Sequence, residues 1–361
     1  MSETKESGLG HYRFEKSCGR ETAIETRDSL KRLEGESLVY CGKLGDDPSS
    51  EILRALNAIE AGETVSGHRV AIKINLGGGI NQVLSSYTDP LVLSAVIDAV
   101  RKLGGEPFVC EANMRTLDID RRMLIRRGIY PILAEKNVDF VNLSEVEPID
   151  FLPLGWKDPI KIPRLLLSAD VRILSLPAVK HHWECGVTLS QKNMYGAISE
   201  RRKSIFHRGG SIDESVAAAA RALLPDISII SHRCACAGLG PHFCVPVRFA
   251  YVIASTNSLA ADIFCCSYLG VDWREVRHLL INGAERVSVG MVEGSTEIDE
   301  ETAKRAASFA MSPKMIKLIR GILYPQYFVP HRLQYRFIKH TEPLGTLVNK
   351  MFFEPFGDVD G

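Results

Sequence analysis

The run VKHHWECGVTLSQKNMYG, residues 179–196, brings Lys180, His181, His182, Cys185, Thr188, Lys192 and Asn193 into one short stretch. A histidine that titrates near neutral pH can give or take a proton during a reaction. A partly buried lysine can grip a carboxylate or phosphate, or act as a base once burial lowers its pKa. Neighbouring histidines on extended backbone point to opposite sides, so only one faces a given site. His182 is the candidate acid or base and His181 the residue facing away. If a helix begins near Thr188, Lys192 and Asn193 lie near its positive end, which favours an anion. Arg201, Arg202, His207 and Arg208 continue the basic character, with His207 as a second acid or base. Without a position in a fold, composition alone favours an ordinary polar surface loop.

Other polar residues fall at the ends of strand-like segments. The segment at 70–76 carries Lys73 and Asn75 and runs into Gly77-Gly78-Gly79. These glycines match neither G-x-G-x-x-G nor the P-loop pattern. They form either a tight turn or a close backbone approach to an anion, with Gly78 as the contact. The segment at 107–110 leads to Glu111, Asn113 and Arg115; that at 227–231 leads to His232, Arg233 and Gly238-Leu239-Gly240-Pro241. The segment at 171–179 leads to the basic run itself. In an open parallel sheet such ends share one edge, where ligands bind. The substrate-binding candidates are therefore Lys73, Asn75, Gly78, Glu111, Thr188, Asn193, Arg202 and Gly240, beside His182, Lys180, Lys192 and His207 as catalytic candidates.

A metal or redox alternative would use Cys185, Cys234, Cys236 and Cys244. Their spacing is neither the C-x₂-C of a zinc ribbon nor a ferredoxin run, so no cofactor is expected and an iron–sulfur or other metal centre is the alternative. A His182–Cys185 base and nucleophile pair lacks a nameable orienting group.

The elements that must position these residues alternate between strand and helix. Asp89 or Thr88 caps a helix that Pro90 begins and Gly104-Gly105 ends, between strands at 70–76 and 106–112. Further strands are expected at 139–143, 171–179, 226–231 and 248–256, with helices at 49–62, 119–137, 211–224, 258–270 and 272–287. The expected fold is α/β, mainly parallel sheet flanked by helices, in two Rossmann-like lobes with a cleft between them. The divisions are a loosely ordered segment at 1–35, a first lobe at 36–160, a second lobe at 161–297 and a helical, aromatic tail at 298–361.

The 361 residues hold 44 Lys/Arg and 44 Asp/Glu, so the zero net charge gives no global reason to expect nucleic acid or an anionic membrane as partner. The polar N-terminus lacks the apolar region of a secretory signal, and no run is long enough to span a bilayer. Nine cysteines at irregular spacing then suggest reduced thiols in the cytoplasm, with Cys265 and Cys266 in the core. The aromatic run at 324–337 is expected to pack on the core or on a partner, such as a second copy of the chain.

The ordered pieces IKINL, PAVKHHWECGVTLSQKNMYG, AGLGP and VIASTNSLAADIFCCSYLGVD resemble the domain-of-unknown-function family 362. The central pattern is K-x-H, a threonine, K-N-x-x-G and a later histidine, matched by Lys180, His182, Thr188, Lys192, Asn193, Gly196 and His207 over a resemblance spanning about residues 65 to 290. Many family members resemble iron–sulfur proteins through an attached ferredoxin-type cysteine run, which this sequence lacks. Ser231 and Asn257 take positions where the family pattern tends to carry acidic residues, while Asp262 keeps one, so the resemblance does not imply a carboxylate-rich metal site. The resemblance itself supplies little activity, but these departures look like those of a biosynthetic enzyme with its own substrate. The basic cluster and histidines then give the expected function, acid–base chemistry of isomerase or lyase type on a small anionic molecule. A redox protein and a non-catalytic binding module are the alternatives.

Overall fold

The computed structural model describes residues 12–17, 19–26, 30–77, 84–114, 118–200, 203, 206, 212–241, 243–323 and 333. Its strands are β1 (Tyr12–Ser17), β2 (Arg20–Glu25), β3 (Gly35–Lys43), β4 (Arg69–Lys73), β5 (Glu106–Glu111), β6 (Phe140–Asn142), β7 (Pro148–Leu152), β8 (Ile160–Pro163), β9 (Val171–Ser175), β10 (Lys180–His182), β11 (Gly186–Thr188), β12 (Ile227–Leu239), β13 (Phe243–Ser255) and β14 (Val287–Met291). Its helices are α1 (Ser49–Ala58), α2 (Ala61–Val65), α3 (Pro90–Lys102), α4 (Arg121–Arg126), α5 (Ile129–Lys136), α6 (Ser190–Tyr195), α7 (Ile212–Ala222), α8 (Ser258–Tyr268), α9 (Arg277–Ile281), α10 (Glu300–Ala307) and α11 (Pro313–Leu323).

The fold is mixed α/β. The large sheet runs β14-β3-β13-β12-β9-β4-β5-β6, with β10 and β11 attached to β12. From β12 to β6 the neighbours are parallel, while β3, β13 and β12 are antiparallel. Strands expected of two separate lobes thus lie in one continuous sheet, because β9 pairs with both β4 and β12. The parallel strands are apolar on both faces, as strands covered on both sides must be. Ile72 and Leu174 face a core shared with Ile52 of α1 and Val96 of α3. Ala71 and Ile173 face Phe151 of β7, Ile162 of β8 and Val216 of α7. A third core packs α8 against β12 and β13.

Local chemistry sets the element ends. The Asp89 carboxylate accepts the Leu91 N–H at 3.0 Å and Pro90 occupies the first turn of α3. The helix expected at 49–62 is broken at Glu60, whose φ of 55° is left-handed. The helix expected at 272–287 becomes a 3-10 turn, α9 and a second 3-10 turn, leading into β14.

The N-terminal stretch, expected to be loosely ordered, contributes β1 and β2 to a four-stranded sheet ordered β1-β2-β7-β8. Its polar residues conceal the strands because their burial comes from pairing with β7 and from the Arg221–Glu25 ion pair at 2.5 Å. The strand expected to end at 231 continues to Leu239 through a register shift between His232 and Cys234. The run HRCACAGL is too small and polar to announce a strand on its own. One cysteine departs from the expectation of reduced thiols: Cys236 is disulfide-bonded, whereas Cys41, Cys110, Cys185, Cys234, Cys265 and Cys266 are free. Spacing alone does not reveal which thiols a fold brings together. Apart from Leu333, the aromatic run at 324–337 lies outside the described residues.

Candidate functional site

The carboxyl ends of β4, β5 and β9 lie side by side, with Lys73 opposite Cys110 on one side and Ser175 on the other. β12 overruns this edge, because it pairs with β9 only through its first residues and then continues. β10 adds to the overrunning part, Lys180 opposite Cys236. The chain after β9 is thereby folded back so that Lys180 reaches the edge.

One buried hydrogen-bonded network joins residues from six segments. Lys73 Nζ donates to Glu111 Oε1 at 2.7 Å and to the Ile74 carbonyl at 2.7 Å. Lys180 Nζ donates to Asn75 Oδ1 and to the Ser86 carbonyl, both at 2.9 Å. Asn193 Nδ2 donates to the Lys73 carbonyl at 2.8 Å and to Ser175 Oγ at 3.1 Å, and Asn193 Oδ1 lies 3.4 Å from both Lys73 Nζ and Asn75 Nδ2. Gly196 leaves room for the ion pair: a Cβ there would lie 3.0 Å from Glu111 Oε1 and from Lys73 Nζ.

The local field is positive. Burial pushes the Lys180 pKa well below the ordinary lysine value, and the charges of Lys192, Arg127 and Lys73 add to the effect. Lys203 donates to the Gly196 carbonyl at 2.7 Å and the Asn113 carbonyl at 3.1 Å, and burial lowers its pKa to about 8. Sequence reasoning missed Lys203 as a member of this group; its signal was the basic triplet Arg201-Arg202-Lys203, which resembles a solvated face. Thr188 is the cross-strand partner of Lys180, and its hydroxyl is buried without a hydrogen-bond partner among the described residues. Buried hydroxyls are ordinarily bonded, so an unpaired one marks a place for a ligand atom or a water.

The two histidines take different roles. His181 Nε2 donates to the Leu269 carbonyl at 2.8 Å and its Nδ1 accepts the Gly238 N–H at 2.9 Å. Burial lowers the His181 pKa, and both ring nitrogens serve the backbone. His182 alternates to the Lys180 side of β10. Its Nδ1 accepts the N–H groups of Glu184 at 3.1 Å and Cys185 at 3.2 Å, which assigns its proton to Nε2. The ring stacks on Trp183, centroids 6.1 Å apart.

α6 carries Lys192 and Asn193, but its positive end is already taken. The Asp262 carboxylate of α8 accepts the Ser190 N–H at 2.8 Å and the Gln191 N–H at 2.9 Å. Burial raises the Asp262 pKa to about 7 against the pull of those two donors. The anion expected at this helix end is therefore a side chain of the protein. Lys192 is half-buried, its Nζ 5.9 Å from the Tyr195 ring centroid.

Gly240 packs against β10, where a Cβ would lie 2.2 Å from the His181 carbonyl oxygen. Gly78, Arg202 and His207, and the side chain of Cys244, lie outside the described residues. Among the described residues no three His, Cys, Asp or Glu side chains are grouped to hold a metal ion. Of the sulfur candidates, Cys236 is disulfide-bonded, and burial raises the pKa of Cys234. A cavity of about 760 Å³ opens on the His181 side, lined by Glu184, Cys185, Asp213 and Asp272, away from the lysine network. The lysines are the functional candidates taken up below, because the network gathers several buried lysines at the strand ends.

Residues 70–267 match the family model described as Domain of unknown function (DUF362). The chain is 26% identical over 215 residues to the thylakoid-associated protein sll1697 of Synechocystis sp.. That similarity covers 57% of this chain and 64% of the relative. No solved structure matches. Among the described residues no helix is long and apolar enough to cross a membrane.

Proposed function

Since the chain belongs to the DUF362 family, whose activity its description leaves open, function must come from the site, and we propose an acid–base enzyme acting on a small carboxylate or phosphate. One observation carries this reading: Lys180 is buried beside other cations, and among the described residues its amine donates to the neutral oxygens of Asn75 and Ser86. Such an amine is pushed toward its neutral form, the form that accepts a proton. An anionic substrate offsets the surrounding positive charge and stabilises the ammonium that proton transfer creates.

Lys180 takes the proton from the substrate carbon, whose electron pair moves into the activated group. Lys192 supplies long-range attraction for the anion. The Lys73–Glu111 pair and Asn193 fix Asn75, which in turn orients Lys180. His182 Nε2–H is the candidate donor for the return proton. This division fits isomerisation, racemisation, elimination or cyclisation, all of which begin with such a transfer. The sequence-based assignment is thus revised within one chemistry: Lys180 becomes the leading base and His182 the acid.

Native mass spectrometry of the full chain after mild purification tests this reading. The expected result is a bound small acid in the parent and its loss in Lys180→Met. A bound cation, a metal cluster, or undiminished retention of the acid by the variant would sink it.

A further inference from the structure

The apolar stripe of α11 is uncovered. Met315, Leu318 and Ile322 are 48%, 59% and 67% exposed. Spacings of three and four residues put them on one side of the helix. A contiguous stripe, unlike scattered apolar residues, marks an interaction surface. The same helix carries Lys314, Lys317 and Arg320 and no acidic residue, with Lys314 and Lys317 exposed.

The sequence extends this character. Between residues 313 and 341 there are six Lys/Arg, five Tyr/Phe and no Asp or Glu. The whole chain holds 44 charges of each sign, so everything outside this stretch carries a net charge of −6. The neutral total conceals a cationic, aromatic end, and the expectation of no anionic surface partner rested on that total.

We propose that α11 lies flat on an anionic lipid surface, its apolar stripe at the acyl boundary and its lysines among the headgroups. An amphipathic helix with basic polar flanks binds in this way, through apolar burial and attraction to anionic lipids together. At 11 residues α11 is about half the length that a membrane span requires, so it rests on the surface. Its inner side faces the body of the protein, where Ile316 helps to line the 760 Å³ cavity.

Co-sedimentation of the full chain with vesicles tests the proposal. One set is phosphatidylcholine alone; the other contains about one-third phosphatidylglycerol, which supplies the negative surface potential. The expected result is binding to the second set only, weakened by added salt. Leu318→Glu with Ile322→Glu should abolish binding. Lys314→Glu with Lys317→Glu should weaken it by at least about tenfold. All these side chains are exposed, so circular dichroism and thermal melts should match the parent. The proposal is overturned by absence of binding, by equal binding to neutral vesicles, or by full binding of either variant. It is also overturned if the parent sediments as a dimer without lipid and Leu318→Glu with Ile322→Glu makes it a monomer. The stripe would then be an interface between copies.

Discussion

Replacing Lys180 by methionine keeps an unbranched side chain of similar length and removes the amine. Asn75 Oδ1 loses one donor and keeps the Gly77 N–H at 2.9 Å, while the Ser86 carbonyl loses another. These losses cost about 1–2 kcal/mol together. A second contribution has the opposite sign and depends on pH. The folded chain holds the Lys180 pKa well below its ordinary value, through burial first and then through Lys192 and Arg127. Between the folded and unfolded pKa values the unfolded chain binds the proton and the folded chain does not. Stability therefore rises with pH across that window, by about 1.4 kcal/mol per unit at most. As pH rises toward the ordinary lysine value, the parent should gain stability relative to Lys180→Met. Urea denaturation of both proteins at stepped pH measures this directly. Parallel curves would mean that Lys180 stays protonated in the fold, and the argument for a neutral amine would be refuted.

Lys203→Met should remove a similar rise beginning near pH 8, where burial places that lysine, and urea curves of the double variant should show both losses. Asp262→Asn leaves one of the Ser190 and Gln191 N–H groups facing an amide donor, and should cost about 2–3 kcal/mol at neutral pH by urea denaturation. Because burial raises the Asp262 pKa to about 7, its contribution to stability falls as pH rises from about 4 through that value; the Asn variant should lack this decline. Gly196→Ala sets a methyl group 3.0 Å from both members of the Lys73–Glu111 pair, and should cost about 1–3 kcal/mol and lower retention of the bound acid in native mass spectrometry.

The parallel strands and α3 were legible because their signals are local: apolar runs at β4 and β9, and the Asp89-Pro90 start of a helix. Placing Lys73 and Glu111 at strand ends followed from that order alone, whereas the strand expected at 171–179 stops at Ser175 and Lys180 opens β10. The overrun of β12 was not legible, since alanine and cysteine in HRCACAGL carry little strand preference and the pairing with β10 and β13 holds them. β1 and β2 were hidden for a related reason: β2 is held by β7, more than a hundred residues away, and β1 pairs only onto β2 among the described residues. The helix end at α6 suggested an external anion because sequence cannot show that Asp262, on α8, already fills it. Lys203 was hidden by its basic neighbours, and the division of work between His181 and His182 needed the carbonyl of Leu269 to complete it.

The central claim is that an anion enters the positive site and turns Lys180 from amine to ammonium. Isothermal titration calorimetry near pH 8, in buffers of different ionisation enthalpy, tests it most directly. The titrants are the co-purifying acid, inorganic phosphate and a short dicarboxylate. The account predicts that binding takes up about one proton in the parent and that Lys180→Met loses the uptake. Binding heats that are independent of buffer, or equal in the two proteins, would contradict it.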